Sequence, residues 1–166
     1  MTADNVKQLC DMSREKLKYA IVKLESFLNE YSLSMLIGEQ RDAETVSFYK
    51  GFLTDLRHLL VFSEVCDEKL GVVLRRANFD VNLGERVLYD VYHNAVNAYF
   101  YPKNECYSED GRYAYTGQDA IRFRKQPVSS ARGIIIEVNK VFEELRDELA
   151  YYESDYLTQR KMHSQK

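Results

Sequence analysis

The stretch Asp42-Ala-Glu-Thr-Val-Ser-Phe-Tyr-Lys-Gly-Phe-Leu-Thr-Asp-Leu-Arg-His-Leu-Leu-Val-Phe-Ser-Glu-Val-Cys-Asp-Glu-Lys-Leu-Gly-Val-Val-Leu74 decides the fold. Thr45, Tyr49, Phe52, Leu53, Leu56, Leu59, Leu60, Ser63, Leu70 and Leu74 recur along it at helical spacing, and no proline interrupts them. That pattern predicts an amphipathic helix of roughly 30 residues. Asp42 stands where a helix cap belongs, because its carboxylate can accept a free N–H of the first turn. Gly71 weakens the last turns by up to about 1 kcal/mol.

A rod of this length must bury its stripe against others. On its N-terminal side, Val6, Leu9, Ser13, Leu17, Ala20, Ile21, Leu24, Phe27 and Leu28 predict a first helix of about 25 residues. Leu33 to Ile37 is a short apolar stretch that Gly38 ends. On the C-terminal side, Asn78-Phe79-Asp80 and Asn82 read as a connection. A third rod runs from about Gly84 to Phe100, with Leu88, Val91, Tyr92, Ala95 and Tyr99 on one face. Pro102 stops it, since the residue before a proline disfavours helical angles. A fourth starts at Ser129 or Ser130, either of which can cap it, and carries Ile134, Ile135, Val138, Val141, Phe142, Leu145, Leu149, Tyr152 and Tyr156. The polar tail Thr158–Lys166 is expected to fray.

Residues 102–128 break the helical period. Tyr113 and Tyr115 flank Ala114, Ile121 and Phe123 flank Arg122, and Thr116-Gly117-Gln118-Asp119 lies between. This predicts a β-hairpin that leans on the helices, because an isolated hairpin is marginal in water. The expected fold is mainly α: one domain over 1–166, an up-and-down four-helix bundle with a hairpin-like segment between the third and fourth rods.

Composition agrees. The chain has 166 residues, 45% apolar and 30% charged, with only 7 Gly and 2 Pro. So few turn-formers argue against an all-β fold. The net charge of −3 argues against a general nucleic-acid binder, which needs a basic excess to displace counterions. No run approaches the roughly 18 apolar residues of a membrane span. The polar start, Met-Thr-Ala-Asp-Asn, has no apolar signal core. Cys10, Cys66 and Cys106 are odd in number and lack a C-x-x-C pattern, which predicts free thiols in a reducing cytoplasm.

Charge is uneven. Residues 103–132 hold six basic and four acidic side chains, whereas residues 133–157 hold two basic and seven acidic. The hairpin segment and the fourth helix therefore differ in sign. Either they pair internally or the acidic face docks a partner.

Several segments together resemble the YpuI-like family of bacterial proteins. They are Leu59-Leu60-Val61-Phe62, Tyr92-His93, Phe100-Tyr101-Pro102-Lys103-Asn104, Tyr115-Thr116-Gly117, Ile121-Arg122-Phe123-Arg124 and Glu148-Leu149-Ala150-Tyr151-Tyr152-Glu153-Ser154-Asp155-Tyr156. The likeness runs from the first helix to the end of the fourth, and its most specific part joins Pro-Lys-Asn to Phe-Arg. It implies a small cytosolic protein and brings no reaction, ligand or cofactor. The resemblance implies no histidine at position 58, which further reduces the case for His58 as a functional group.

Three constellations could carry chemistry. Asp55-Leu-Arg-His58 and Asp90-Val-Tyr-His93 have the form of bundle metal ligands, which must face the core. At about 100° per residue, His58 falls about 200° from Leu56, and His93 about 140° from Leu88, so both pairs are expected to face water. No metal site is expected. Arg86 and His93, seven apart, resemble the catalytic spacing of the helical HEPN ribonucleases. There a His moves the 2′-hydroxyl proton without metal and an Arg holds the phosphate.

The third constellation is aromatic and cationic. Tyr99 to Tyr115 holds five of the 13 tyrosines. Lys103, Tyr107, Arg112, Tyr113, Tyr115, Arg122, Arg124 and Arg132 form a candidate binding surface, because rings and cations together stack on and pair with a ligand. No nucleophile elbow, zinc-protease or phosphate-loop pattern is present. Every strong signal is a packing signal. The expected function is a non-enzymatic interaction or scaffold module. Its partner would be another protein, met through the Tyr/Arg segment, the acidic face of the fourth helix, or both. A homodimer would use Tyr151 or Tyr152.

Overall fold

A computed structural model describes residues 2–110, 112 and 120–164. Helix α1 spans Ala3–Glu30 and opens at Thr2, whose hydroxyl accepts the Asn5 N–H. The short α2, Leu33–Ile37, ends at Gly38 with φ of +58°, a backbone that L side chains rarely adopt. Asp42 caps α3, Ala43–Arg75, as its sequence predicts. Its carboxylate accepts both the N–H and the hydroxyl of Thr45.

The third rod is continuous from Val81 to Phe100 but not uniform. It comprises α4, Val81–Asp90, a π-helical turn, Val91–Val96, and α5, Asn97–Phe100. The π turn places more residues per revolution than an α-helix and so rotates everything beyond it. The fourth rod is broken. Helix α6, Ser129–Glu148, gives way to a 3₁₀ turn at Ala150–Tyr152 and then to α7, Asp155–Ser164. The tail expected to fray is thus helical through Ser164, anchored by Tyr156, whose buried ring lies 5.8 Å from that of Tyr89.

Neither Ser129 nor Ser130 caps α6. Val128 holds the cap position without a side-chain bond, and its N–H is donated to the Tyr49 hydroxyl of α3 at 2.9 Å. The Tyr49 hydroxyl thus holds the residue before the helix and does not serve the first-turn N–H groups that a serine cap would accept.

The long helices share one core. Helix α1 packs on α3, α4 and α6, and α3 also packs on α2, α4 and the π turn. Leu17 and Leu24 of α1, Phe52, Leu56 and Leu70 of α3, Leu88 of α4, and Ile135 and Phe142 of α6 are fully buried there. At roughly 1.5–3 kcal/mol per buried aliphatic or Phe side chain, this shared core dominates the stability. Tyr99 stacks on Phe142 with ring centroids 4.8 Å apart, and its hydroxyl donates to Asn139 Oδ1 at 2.6 Å.

A hairpin is present, and its described first strand precedes the expected one. Strand β1, Tyr107–Glu109, pairs antiparallel with β2, Ile121–Phe123, in the register Tyr107 to Phe123, Ser108 to Arg122 and Glu109 to Ile121. The second strand lies where its alternation predicts. The first strand was expected at Tyr113 and Tyr115, which lie outside the described residues together with the expected turn at 116–119. Cys106 and Tyr107 are both buried, so the apolar alternation of β1 is masked and its sequence hides the strand.

Candidate functional site

The segment after Pro102 is held from below. Asp55 is only 6% exposed, although a helical wheel turns it from the core, because the chain at Asn104 covers it. Its carboxylate accepts the Asn104 backbone N–H at 3.0 Å and side-chain amide at 2.8 Å. Glycine at 51 permits this approach: a Cβ there would lie 2.9 Å from Asn104 Cβ. The Asn104 amide also donates to the Gly51 carbonyl at 3.3 Å. Glu105, with φ of +51°, turns the chain into β1.

The hairpin is next tied to α6. Arg146 donates to both carboxylate oxygens of Glu109, at 3.0 and 3.2 Å, and its guanidinium lies 4.1 Å from the Phe100 ring centroid. Such a fork fixes direction as well as distance. The signs are the reverse of the segment totals: the helix supplies the base and the hairpin the acid. Elsewhere the acids of α6 face α1. Glu137 pairs with Lys23 at 3.1 Å, and Glu144 pairs with Lys16. The Lys16 ammonium holds the Glu144 carboxyl below its ordinary range. Part of the acidic face is therefore neutralised within the molecule.

The sequence-predicted binding residues divide. Tyr107 is interior. It is 4% exposed and its hydroxyl donates to the Tyr99 carbonyl at 2.7 Å, so it belongs to the support and not to the surface. Tyr113 and Tyr115 lie outside the described residues. Lys103, Arg112, Arg122, Arg124 and Arg132 are exposed around the hairpin. Arg112 and Arg122 converge on the carboxylate of Asp110, at 2.9 and 3.4 Å, and Arg112 holds that acid well below the usual carboxylate range. Arg124 donates to the Asn104 carbonyl at 3.4 Å and lies over the Phe48 ring, while Arg132 lies over Phe123. Tyr101, another ring of the Tyr99–Tyr115 run, is 78% exposed beside them in sequence. Its signal was the chain break at Pro102, which ends the helix before the ring can be packed.

The two imidazoles and Arg86 fare differently. His58 is exposed, as expected. His93 is half-buried: its Nε2 lies 2.9 Å from the Tyr152 carbonyl, and its ring is 4.1 Å from that of Tyr89. The π turn and the break after α6 produce this position, and neither is visible to a regular wheel. Arg86 is exposed and lines a cleft between α4 and α7 to which His93 does not contribute. The expected pairing of Arg86 with His93 on one open face is not supported.

The thiols are poor nucleophiles. Burial pushes Cys10 and Cys66 up to about 12 and Cys106 up to about 11, so thiolate is scarce at neutral pH. Among the described residues no three His, Cys, Asp or Glu side chains gather as metal ligands, and no helix is long and apolar enough to cross a membrane.

The profile of a family described as "Protein of unknown function (DUF3907)" matches residues 10–158. The uncharacterized protein YpuI of Bacillus subtilis (strain 168) is 30% identical over 144 residues, which cover 84% of this chain and 77% of that protein. No solved structure matches the chain.

Proposed function

This chain belongs to the DUF3907 family, whose function is unknown, and from that premise we propose that it is a non-enzymatic protein-interaction module. In this reading a single cytoplasmic domain, built as an up-and-down arrangement of four rods, presents the paired strands β1 and β2 and their flanks as a docking edge. The observation that carries the reading is the division of labour at that edge. Tyr107, Cys106 and Ile121 are buried beneath it, while Lys103, Arg112, Arg122, Arg124 and Arg132 are exposed around it. A cluster of exposed cations held by neighbouring groups selects an acidic segment of a partner and speeds the encounter. Tyr101 supplies an exposed ring at the start of the segment, of the kind that anchors interfaces. The buried thiols suit a reducing compartment.

A photoreactive amino acid at position 101, introduced in cells, tests the reading. The expected crosslinks fall in an acidic stretch of one protein, weaken with salt, and disappear in the double variant Arg122→Glu and Arg124→Glu. Crosslinks that survive the charge reversal would move the docking edge elsewhere. Crosslinks to a second copy of the chain, with a dimer in sedimentation, would identify the partner as the protein itself.

A further inference from the structure

The cleft between α4 and α7 is separate from the hairpin edge. Its polar half has a volume of about 860 Å³ and includes Arg86, Glu85, Tyr151, Arg160 and His163. A second hollow of about 480 Å³ adjoins it, walled by Val72 of α3, Leu83 and Val87 of α4, and Leu157 of α7. Arg86, Tyr156 and Arg160 line both, so the two hollows meet at a pair of guanidiniums.

Charge at this junction is not balanced internally. Lys69 and Asp90, at the rim of the apolar hollow, pair with each other at 3.2 Å. Arg160 bonds to the Tyr156 hydroxyl at 3.3 Å, and no carboxylate among the described residues pairs with Arg86 or Arg160. Glu85 is the acid on the polar wall, against Arg86, Arg160 and His163. Val72 and Leu157 remain 48% and 39% exposed on the other side. Apolar walls next to cations that form no ion pair among the described residues are complementary to a molecule with both characters.

We propose that this double hollow binds an amphipathic anion, with an apolar chain against Val72, Leu83 and Leu157 and a carboxylate or phosphate headgroup held by Arg86 and Arg160. The planar forks of two arginines suit either headgroup. The apolar walls contribute about 25 cal/mol for each Å² of chain they cover.

Isothermal titration of the full chain with decanoate and with decyl phosphate tests this, with decan-1-ol and inorganic phosphate as single-character controls. Saturable binding of one or both amphiphiles is expected, at least tenfold tighter than either control, and the tighter of the two identifies the headgroup. Arg86→Gln with Arg160→Gln should weaken it at least tenfold, and Val72→Glu should weaken it similarly by charging the apolar wall. These side chains are exposed, and thermal melts establish that the variants are folded. Reversing the charge of Lys103 and Arg124 should leave the affinity unchanged. Absence of saturable binding by both amphiphiles, or unchanged affinity in the Arg86 and Arg160 variant, would overturn the assignment while leaving the hairpin reading intact.

Discussion

Asp55, in the middle of a helix, holds Asn104 by two distinct donors, the backbone N–H at 3.0 Å and the side-chain amide at 2.8 Å. The pair joins α3 to the loop that begins the hairpin, 49 residues later. Asp55→Ala removes the acceptor and leaves donors in a covered site. We expect a loss of about 1–3 kcal/mol, read from urea unfolding. Amide exchange should accelerate at Asn104 while the α1 and α6 amides keep their protection relative to global unfolding. Uniform acceleration would show that the contact is not local.

Two glycines in helices should respond to alanine with opposite sign. At Gly51 the new methyl would meet Asn104 Cβ at 2.9 Å and Cys106 Sγ at 3.4 Å. Overpacking of this kind costs about 1–3 kcal/mol and outweighs the roughly 1 kcal/mol gained in helix propensity. At Gly133 nothing lies within 4 Å, so alanine should stabilise by up to about 1 kcal/mol. Thermal melts of the two variants check the contrast. In a double-mutant cycle Gly51→Ala and Asp55→Ala should be non-additive, because they disturb the same loop.

Alkaline pH should expose the thiols. Their folded values, about 12 for Cys10 and Cys66 and about 11 for Cys106, exceed the ordinary thiol value. Their contribution is therefore complete below the unfolded value near 8.5 and declines as pH rises toward 11 and 12. At pH 8 the native protein should be nearly inert to Ellman's reagent, and unfolding should release three thiols. Rapid native labelling of any one would contradict its burial.

Acid should act through a different set. The Thr45 hydroxyl and N–H hold Asp42 below its usual range, Arg112 does so for Asp110, and Lys16 for Glu144. Their contribution is present above the unfolded carboxylate range, near pH 4, and is lost as pH falls through the lower folded values. Urea midpoints between pH 6 and pH 2 should fall accordingly. Thr45→Val removes the largest of the contacts to Asp42 and should make the fall shallower. An unchanged slope would show that Asp42 contributes nothing to it.

The helices were legible because burial follows a period that a long segment repeats many times. Leu17, Leu24, Phe52, Leu56 and Ile135 are buried where their spacing placed them. Features set by a single distant contact were not legible. Asp55 is covered by a loop, and the Val128 N–H is held by the Tyr49 hydroxyl from another helix. The π turn shifted His93 toward Tyr152, and the irregular turn after α6 replaced a continuous helix. In the candidate site, the cations around the hairpin were readable from composition. The interior place of Tyr107 was not, because a tyrosine in an irregular segment reads alike whether its ring faces in or out.

The phenol of Tyr49 receives the amide that precedes the last long helix. That bond makes the beginning of the C-terminal segment dependent on a rod translated almost eighty residues earlier. The acceptor is therefore synthesised before the segment that docks on it. A peptide covering only the C-terminal segment would keep the apolar period of α6 and lose this one tether, worth about 0.5–1.5 kcal/mol.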